Sequence, residues 1–446
     1  MAKHCYKSSK TNNNEVFDSQ MSLKVFKFGG ASVKDAAAIE NLKKILELYP
    51  AQSLVVVISA MGKTTNFLEN VVNCYRAKEN TASLLDTLQR NHEQVAKQLV
   101  TDPSAIIDQI HQLIARLRQR LSEPPSGNYD FDYDQIVSYG ELLSTTLISG
   151  FLNATGISNT WMDARLLVRT DATFREGHLN WGVTEQQIKE AMAPLLSNPG
   201  SIILTQGFIA GTAERLTTTL GREGSDYSAA IFAYALDAES VTIWKDVPGL
   251  LNADPKRFPD AVKLDCIPYE EAVELSYYGA SIIHPKTLKP LQNKHIPLHV
   301  KSFFEPQATG SIIGDGEIRN TIPSYIVKDN QTLLTIFPRD FSFIAVDNLS
   351  EIFAVFSECR MRINVMQNSA LSFSVCADVE PTRLQECLKK LNARYKVKYN
   401  ENVQLVTIRH YDQEAIQRII GQRTVLMRQT SRATIQFVLS NEKPEI

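Results

Sequence analysis

The stretch that decides the fold reads Lys27-Phe28-Gly29-Gly30-Ala31-Ser32-Val33. It follows an apolar run from Leu23 to Phe26, which predicts a buried strand, and it precedes a helical pattern from Ala36 to Leu48. A lysine and two glycines at a strand-to-helix turn suit phosphate binding. Glycine lets the backbone approach an anion, while the ammonium and the helix N-terminus supply positive potential. Taken alone, the Gly-Gly pair could equally make a tight structural bend.

Length and composition limit the class of protein. A chain of 446 residues is too long for one typical core, so two or three domains are expected. With 43% hydrophobic residues and a net charge of −2, nothing favours binding to nucleic acid or to an acidic membrane, and no apolar run approaches the ~20 residues of a membrane span. The six cysteines form no Cys-x-x-Cys pair, so we expect no zinc site and free thiols in a reducing cytoplasm, and no residue is assigned as a metal ligand.

The first long section alternates strand-like and helix-like stretches. The β-branched run from Leu54 to Ile58 suits a strand buried on both faces, and apolar residues from Ile106 to Leu121 recur at helical spacing. Further short apolar runs lie at Ile202 to Leu204, Val241 to Trp244 and Leu298 to Val300. This alternation predicts an α/β sandwich with a largely parallel sheet.

A different rhythm follows a Gly-, Pro- and Thr-rich stretch at 305–324. A strand, a helix and two more strands are predicted, and the same order then loosely repeats. The predicted strands are Gln331–Phe337, Ile363–Gln367, Leu371–Cys376, Gln404–Ile408, Val425–Gln429 and Thr434–Leu439, and the helices are Leu349–Cys359, Thr382–Leu391 and Glu414–Ile420. Two β-α-β-β units indicate paired ferredoxin-like modules, and a plain dimerisation domain fits the same pattern.

The opening motif has a family. Residues 27–33 closely resemble the Lys-Phe-Gly-Gly-Thr-Ser-Val of the aspartate kinases, with Ala31 in place of the threonine. The resemblance implies that Lys27 bridges the phosphates of ATP and that Gly29 and Gly30 line them. The β-α-β-β repeat likewise resembles the tandem ACT domains at the C-terminus of that family.

A second loop follows the second predicted strand, with the sequence Ser59-Ala60-Met61-Gly62-Lys63-Thr64-Thr65-Asn66. It resembles the Ser-Ala...Thr-Asn loop of aspartate kinases, which implies that Ser59 and Thr65 help to hold the amino-acid substrate. Such loops lie at the carboxyl ends of strands, where α/β sheets bind ligands. Helix capping by Thr64 or Thr65 is the simpler alternative.

Two further motifs carry charges suited to a small dicarboxylic amino acid. Glu141 follows a Tyr-Gly pair in the first turn of a predicted helix, where a glutamate most often compensates the helix dipole. Gly221-Arg222-Glu223-Gly224-Ser225-Asp226-Tyr227 resembles the family's Gly-Arg-Gly-Gly-Ser-Asp-Tyr, with Glu223 replacing a glycine. Arginine can bind a carboxylate through two hydrogen bonds. The resemblance implies that Arg222 grips the substrate carboxylate and that Glu141 and Asp226 serve its ammonium, with Lys27 and Asp226 as the catalytic pair.

The nucleotide side rests on segments that resemble the family pattern and depart from it at Lys245, Lys256 and Ser281. Residues 244–250 resemble Trp-Thr-Asp-Val-Pro-Gly, with Lys245 in place of the threonine and Asp246 kept, and Lys256 stands for an arginine in the following Asp-Pro-Arg. Ser281 occupies a position where a nucleotide-contacting lysine is usual. We hypothesise that Lys245 supplies the charge that relatives supply at the position of Ser281; the alternative is that Lys245 points to solvent.

The resemblance covers nearly everything from Met21 onward. It implies an amino-acid-kinase three-layer α/β/α sandwich at 21–305, a linker at 306–323 and two ferredoxin-like ACT domains at 324–446. Residues 1–20 are polar and are expected to form a disordered N-terminal extension. Because the chain ends shortly after the ACT-like region, we expect a monofunctional enzyme, without the homoserine dehydrogenase fused to some relatives.

The implied activity is phosphoryl transfer from ATP, with Mg²⁺, to L-aspartate, giving 4-phospho-L-aspartate at the start of lysine, threonine and methionine biosynthesis. A kinase for another acidic amino acid and a catalytically impaired amino-acid sensor are the alternatives. The resemblance further implies a cytoplasmic homodimer or higher oligomer with an amino-acid effector at the ACT region. Residues 363–369 depart from the family's usual inhibitor-binding turn, so lysine, threonine or no effector all stay open.

Overall fold

The computed structural model describes residues 23–280, 283–316, 322–340 and 342–441. Their internal contacts divide the chain into two compact units. The first unit comprises the described residues within Met1–Leu250, Lys263–Val273 and Ile282–Glu317, and the second those within Leu251–Val262, Glu274–Ser281 and Ile318–Ile446. Two short segments of the predicted kinase region therefore belong to the second unit.

The first stretch of the chain, to Gly314, alternates strands and helices as the sequence predicts. Its strands are β1 (Leu23–Phe28), β2 (Ser53–Ile58), β3 (Thr160–Met162), β4 (Ile202–Gln206), β5 (Ile209–Gly211), β6 (Thr217–Thr219), β7 (Ser240–Lys245), β8 (Leu250–Leu251), β9 (Lys263–Leu264), β10 (Cys266–Pro268), β11 (Leu298–Ser302) and β12 (Ser311–Gly314). Its helices are α1 (Ala36–Glu47), α2 (Thr64–Arg76), α3 (Ala82–Leu99), α4 (Ser104–Ser122), α5 (Tyr129–Val137), α6 (Tyr139–Ala154), α7 (Ala164–Leu167), α8 (Trp181–Leu196), α9 (Gly224–Ala235), α10 (Tyr269–Tyr278) and α11 (Pro285–Asn293).

An eight-stranded sheet forms the centre of the first unit, in the order β10-β12-β11-β7-β1-β2-β4-β3. Its recorded pairings are parallel apart from β11 with β12. All six residues of β2 are buried, as expected for a strand with helices on both faces. The predicted α/β fold with a largely parallel sheet is confirmed, and β1, which leads to the two glycines, lies in its interior.

One strand lies where the sequence predicts a linker. Strand β12 falls within residues 306–323, yet it pairs with both β10 and β11. The Oγ of its first residue, Ser311, accepts a hydrogen bond from Leu250 N at 2.8 Å. Only two apolar residues, Ile312 and Ile313, mark this strand, and they are too few to stand out among glycine and threonine.

The second unit carries an antiparallel sheet with helices. Its strands are β13 (Ser324–Pro338), β14 (Arg362–Asn368), β15 (Phe373–Asp378), β16 (Tyr395–Arg409), β17 (Val425–Thr430) and β18 (Thr434–Leu439), and its helices are α12 (Val346–Glu358), α13 (Pro381–Asn392) and α14 (Gln413–Ile420). The order β13-α12-β14-β15 recurs as β16-α14-β17-β18, so the two predicted β-α-β-β units are confirmed. The strand order is β14-β15-β13-β16-β18-β17, which means that the two modules share one sheet.

The two central strands are longer than their predicted segments. Strands β13 and β16 each have 15 residues and pair with one another along their length. The register shifts between Lys328 and Leu333, and Asn330 has φ 53°. This irregularity and the polar residues around it conceal the continuity of β13, because they break the alternation that signals a strand.

Residues 251–262 pack within the second unit. The Phe258 ring stacks on Tyr325 with centroids 5.0 Å apart. The Arg418 guanidinium lies 5.1 Å and 5.4 Å from the two ring centroids and donates two hydrogen bonds to Asp260, at 2.8 and 2.5 Å.

Among the helices that the structure describes, none is long and apolar enough to cross a membrane.

Candidate active site

Lys27 lies near the C-terminal end of β1 and faces the side of the sheet opposite its neighbours. Phe26 and Phe28 are buried and pack against Trp244, with ring centroids 5.6 Å and 6.1 Å away. Because side chains alternate along a strand, Lys27 points the other way. Its Nζ lies 2.6 Å from Asp226 Oδ1, and the two side chains are only 11% and 5% exposed.

Asp226 occupies the first turn of α9, where the helix dipole favours a negative charge. Burial raises the cost of ionising this carboxyl, but the positive charges of Lys27 and Lys245 outweigh that cost. They hold the pKa of Asp226 below its ordinary value. Asp226 is therefore an ionised carboxylate under a helix N-terminus, and it anchors the Lys27 ammonium.

Lys245 joins this charge cluster from the neighbouring strand. Lys27 pairs with Ile243 in the register of β1 and β7, so Lys245, two residues further on, faces the same side of the sheet as Lys27. Its charge contributes to the lowered pKa of Asp226. This orientation favours the hypothesis of a cation directed at the site over a lysine that points to solvent. Asp246 follows at the end of β7 and is exposed.

The turn after β1 packs closely on the loop after β2. Gly62 N donates a hydrogen bond to Gly30 O at 3.0 Å. A Cβ at Gly30 would lie 2.8 Å from Gly62 O and 2.9 Å from Ala60 O, so no larger residue fits without movement of the backbone. Gly30 is therefore needed for the packing of the two loops, in addition to the phosphate-lining role that the sequence predicts.

The helical pattern predicted from Ala36 to Leu48 is confirmed, since α1 spans Ala36–Glu47 and has Leu48 as its C-cap residue. A four-residue 3-10 helix, Gly30–Val33, comes first, and α1 begins at Ala36. The N-terminus of α1 is capped by the Asp35 side chain, which accepts a hydrogen bond from Ala38 N at 2.9 Å. The Asp35 side chain therefore already satisfies part of the α1 N-terminus, and a bound anion would have fewer free N–H groups there.

Glu141 is a second buried carboxyl at the site, and its pKa is shifted in the opposite direction from that of Asp226. It is 2% exposed, and Oε1 accepts a hydrogen bond from Ala60 N at 3.3 Å. Among the described residues, Oε2 has no hydrogen-bond partner. Burial raises the pKa of Glu141 to about 8, against the opposing effect of the backbone hydrogen bonds. A dipole-compensating surface glutamate would not be buried in this way, so a partner for Oε2 is expected.

A close approach of two elements places Glu141 beside the loop after β2. A Cβ at Gly140 would lie 3.0 Å from the Ala60 Cβ, which explains the glycine that precedes Glu141. Ser59 belongs to the same loop, its carbonyl accepting a hydrogen bond from Ser144 Oγ at 2.9 Å. Thr65 lies in the first turn of α2, whose N-cap residue is Lys63 with no side-chain cap. The alternative of capping by Thr64 or Thr65 is therefore not observed.

Arg222 is exposed on the loop that precedes α9. No ion pair of its guanidinium is recorded among the described residues. The loop is shaped by Glu223, whose backbone is left-handed with φ 54° and ψ 29°. Glu223 Oε2 accepts a hydrogen bond from His284 N at 2.8 Å. Sequence reasoning missed this last contact, because nothing local relates residues so far apart in the chain.

Two further residues predicted for the nucleotide side are Lys256 and Ser281. Lys256 is exposed on the segment 251–262 of the second unit. Ser281 lies outside the described residues. The roles assigned to both stay predictions from the sequence.

The chain is similar to known proteins in both sequence and structure. Residues 22–302 match the model of the amino acid kinase family. The chain is 30% identical to lysine-sensitive aspartokinase 3 of Escherichia coli over 86% of each chain, and 31% identical to the chloroplastic aspartokinase 1 of Arabidopsis thaliana. It also resembles the crystal structure of E. coli aspartokinase III in complex with aspartate and ADP, with a TM-score of 0.79 and 27% identity over 94% of this chain and 96% of that one.

The chain therefore belongs to the amino acid kinase family and, within it, to the aspartokinases. It spans 64% of the length of the Arabidopsis aspartokinase 1 and 42% of that of the Arabidopsis bifunctional aspartokinase/homoserine dehydrogenase 2, with which it is 28% identical.

The buried ion pair leads to a prediction about stability. Lys27→Met leaves the Asp226 carboxylate with one cation fewer, so the free energy of unfolding should fall by about 3 kcal/mol. Adding Asp226→Asn should restore a large part of it. Lys43→Met, which removes an exposed pair with Glu47, is the control and should cost less than about 1 kcal/mol. Urea unfolding measures all four proteins, and equal effects of Lys27→Met and Lys43→Met would contradict a buried pair.

Proposed function

We propose that this protein is an aspartate kinase that transfers the γ-phosphoryl group of ATP to the side-chain carboxylate of L-aspartate. The observation that carries the proposal is the buried carboxyl of Glu141, in which Oε1 has a hydrogen-bond partner and Oε2 has none among the described residues. Glu141 lies beside the loop after β2, and that loop packs on the turn that follows Lys27. An unpartnered acceptor of this kind suits the ammonium of an amino acid, and the exposed Arg222 suits its carboxylate.

Glu141 and Arg222 would bind the two oppositely charged groups of aspartate, its ammonium and a carboxylate. Asp226 is already engaged by Lys27, so Glu141 Oε2 is the better acceptor for the substrate ammonium. Arg222 would bind a carboxylate through its planar fork of donors. Ser59 and Thr65, in the loop and helix beside Glu141, would supply further polar contacts.

The phosphate side would be made of cations and close backbone. Lys27 would bridge the phosphates, Gly29 and Gly30 would line them, and Lys245 would add a second positive charge. These groups fit polyphosphate, because a lysine pair and small residues at a turn favour an anion.

Magnesium fits the site only together with the nucleotide. Among the described residues, no group of three His, Cys, Asp or Glu side chains could hold a metal ion. Mg²⁺ is commonly bound by one or two carboxylates and by substrate phosphates, and Asp246, directly after Lys245, would be such a carboxylate. When bound, Mg²⁺ would neutralise phosphate charge. Lys256 and Ser281 are proposed as further nucleotide contacts.

The chemistry needs no general base. A side-chain carboxylate of aspartate is ionised at neutral pH, so one of its oxygens attacks the γ-phosphorus directly. The bond from that phosphorus to the β,γ-bridging oxygen breaks, giving 4-phospho-L-aspartate and ADP. The residues named above act by holding two anions in line and by offsetting their repulsion.

The second unit is proposed to regulate this activity. The E. coli relative is named lysine-sensitive, and a related crystal structure of aspartokinase III contains lysine and aspartate. An amino-acid effector at the tandem β-α-β-β modules, a homodimeric or larger assembly and a cytoplasmic location are the corresponding proposals here. Lysine is the effector that these relatives favour, while the departures at residues 363–369 keep threonine and no effector as alternatives.

The primary test is a hydroxamate assay with ATP and Mg²⁺, comparing L-aspartate with L-glutamate. We expect turnover with aspartate only. Arg222→Lys should raise the KM for aspartate roughly 10- to 100-fold, because a charged hydrogen bond contributes about 1.5–3 kcal/mol, and should leave the KM for ATP nearly unchanged.

Arg215→Lys, at an exposed arginine of the β5–β6 turn, is the matched control and should leave both constants unchanged. Turnover with glutamate alone would indicate a different amino-acid kinase. No turnover with either substrate would favour the impaired sensor.

The raised pKa of Glu141 predicts a pH-dependent affinity for aspartate. Only the ionised carboxyl can accept the substrate ammonium, and with a pKa of about 8 it is mostly protonated at pH 6. The dissociation constant for aspartate should therefore fall as pH rises, by up to roughly tenfold per unit, and level off above about pH 8. Calorimetric titration between pH 6 and 8.5 measures it.

Glu141→Gln should weaken aspartate binding and abolish this pH dependence. Glu40→Gln, at an exposed glutamate of α1, is the control and should retain the wild-type profile. An affinity that is flat across the range in the wild type would rule out an ammonium held by Glu141.

A further inference from the structure

Glu223 has an unfavourable backbone conformation. Its φ of 54° and ψ of 29° are left-handed, a region that a residue with a Cβ rarely adopts. The aspartate kinase motif that it resembles has a glycine here, which adopts this conformation without strain. A glutamate at this position therefore calls for a compensating contact of its side chain.

That contact is a hydrogen bond to another element. Glu223 Oε2 accepts from His284 N at 2.8 Å. His284 is the N-cap residue of α11, and its ring nitrogen Nδ1 accepts from Lys286 N at 3.2 Å. The carboxylate thus ties the loop before α9 to the first turn of α11.

A second contact holds the same loop from its other side. Lys286 Nζ donates to Leu220 O at 2.6 Å and lies 5.6 Å from the centroid of the Tyr227 ring. Arg222 lies between the two anchored residues, Leu220 and Glu223. Two hydrogen bonds from the start of α11 therefore fix the backbone on both sides of the arginine.

The Glu223 carboxylate interacts with the start of α11 and leaves the adjacent Arg222 guanidinium available. Lys286 interacts electrostatically with Glu223 and with Glu176, and the Arg222 and Glu223 charges both act on His284. The Glu223 carboxylate is used by the His284 N–H, while the Arg222 side chain is exposed. Arg222 can therefore present its guanidinium to a ligand.

We propose that Glu223 is a positioning residue that fixes the Arg222 loop against α11, replacing the backbone freedom of glycine by a hydrogen-bonded latch. The inference rests on the proposed function, since Arg222 is there the group that binds the aspartate carboxylate. It concerns how this chain holds that arginine in place, and Glu223 itself does not touch the substrate.

Three variants separate the latch from the backbone. Glu223→Gln keeps an acceptor for His284 N and should keep the KM for aspartate within about threefold. Glu223→Ala and Glu223→Gly remove the acceptor and should raise that KM about tenfold, with kcat and the KM for ATP within about twofold. Arg215→Gly is the control, because it removes the backbone strain of another left-handed residue, with φ 62°, outside this loop. It should change none of these constants.

A wild-type KM for aspartate in Glu223→Gly would overturn the proposal, since the loop would then need only a permissive backbone. Equal changes in both KM values and in kcat would indicate a merely structural residue. If Glu223→Ala does not fold, the comparison of Gln with Gly decides alone.

Hydrogen–deuterium exchange tests the latch without any turnover. The peptide that contains His284 should exchange at least tenfold faster in Glu223→Gly than in Glu223→Gln. Equal exchange in the two variants would contradict the latch. If the two variants differ as expected but the wild-type protein does not phosphorylate aspartate, the latch stands and only the proposed function has failed.

Discussion

The rest of the site depends on the ion pair between Lys27 and Asp226. It joins the central strand β1 to the first turn of α9, and both side chains are nearly buried. Because the carboxylate is ionised, the lysine is held as a fixed cation beside the turn after β1. A preorganised charge of this kind requires no reorganisation when an anion arrives, which is the main way in which a protein can promote transfer between two anions.

Close packing of three elements keeps that cation in register with the other groups. The turn at Gly30 contacts the loop at Ala60 and Gly62, and α6 approaches the same loop at Gly140. Each contact needs a glycine because a Cβ would meet backbone or side-chain atoms at 3.0 Å or less. The result is that the turn after β1, the loop after β2 and the start of α6, which carries Glu141, pack together at the carboxyl end of the sheet, where α/β folds bind ligands.

Much of this arrangement is readable from local sequence, and some of it is not. The strand-turn pattern at 27–33 and the arginine motif at 221–227 identify Lys27 and Arg222 because their residue types are chemically suited to anions. The pairing of Lys27 with Asp226, the burial behind the raised pKa of Glu141 and the contact of Glu223 with His284 depend on tertiary structure. No periodicity or spacing encodes such contacts.

A crystal structure with ADP, Mg²⁺ and L-aspartate would test the central claim most directly. The account predicts Lys27 Nζ within about 3.2 Å of both Asp226 and a phosphate oxygen. It also predicts the Lys245 ammonium directed at the phosphates and the substrate ammonium on Glu141. Phosphates bound away from Lys27, with that lysine contacting Asp226 alone, would contradict it.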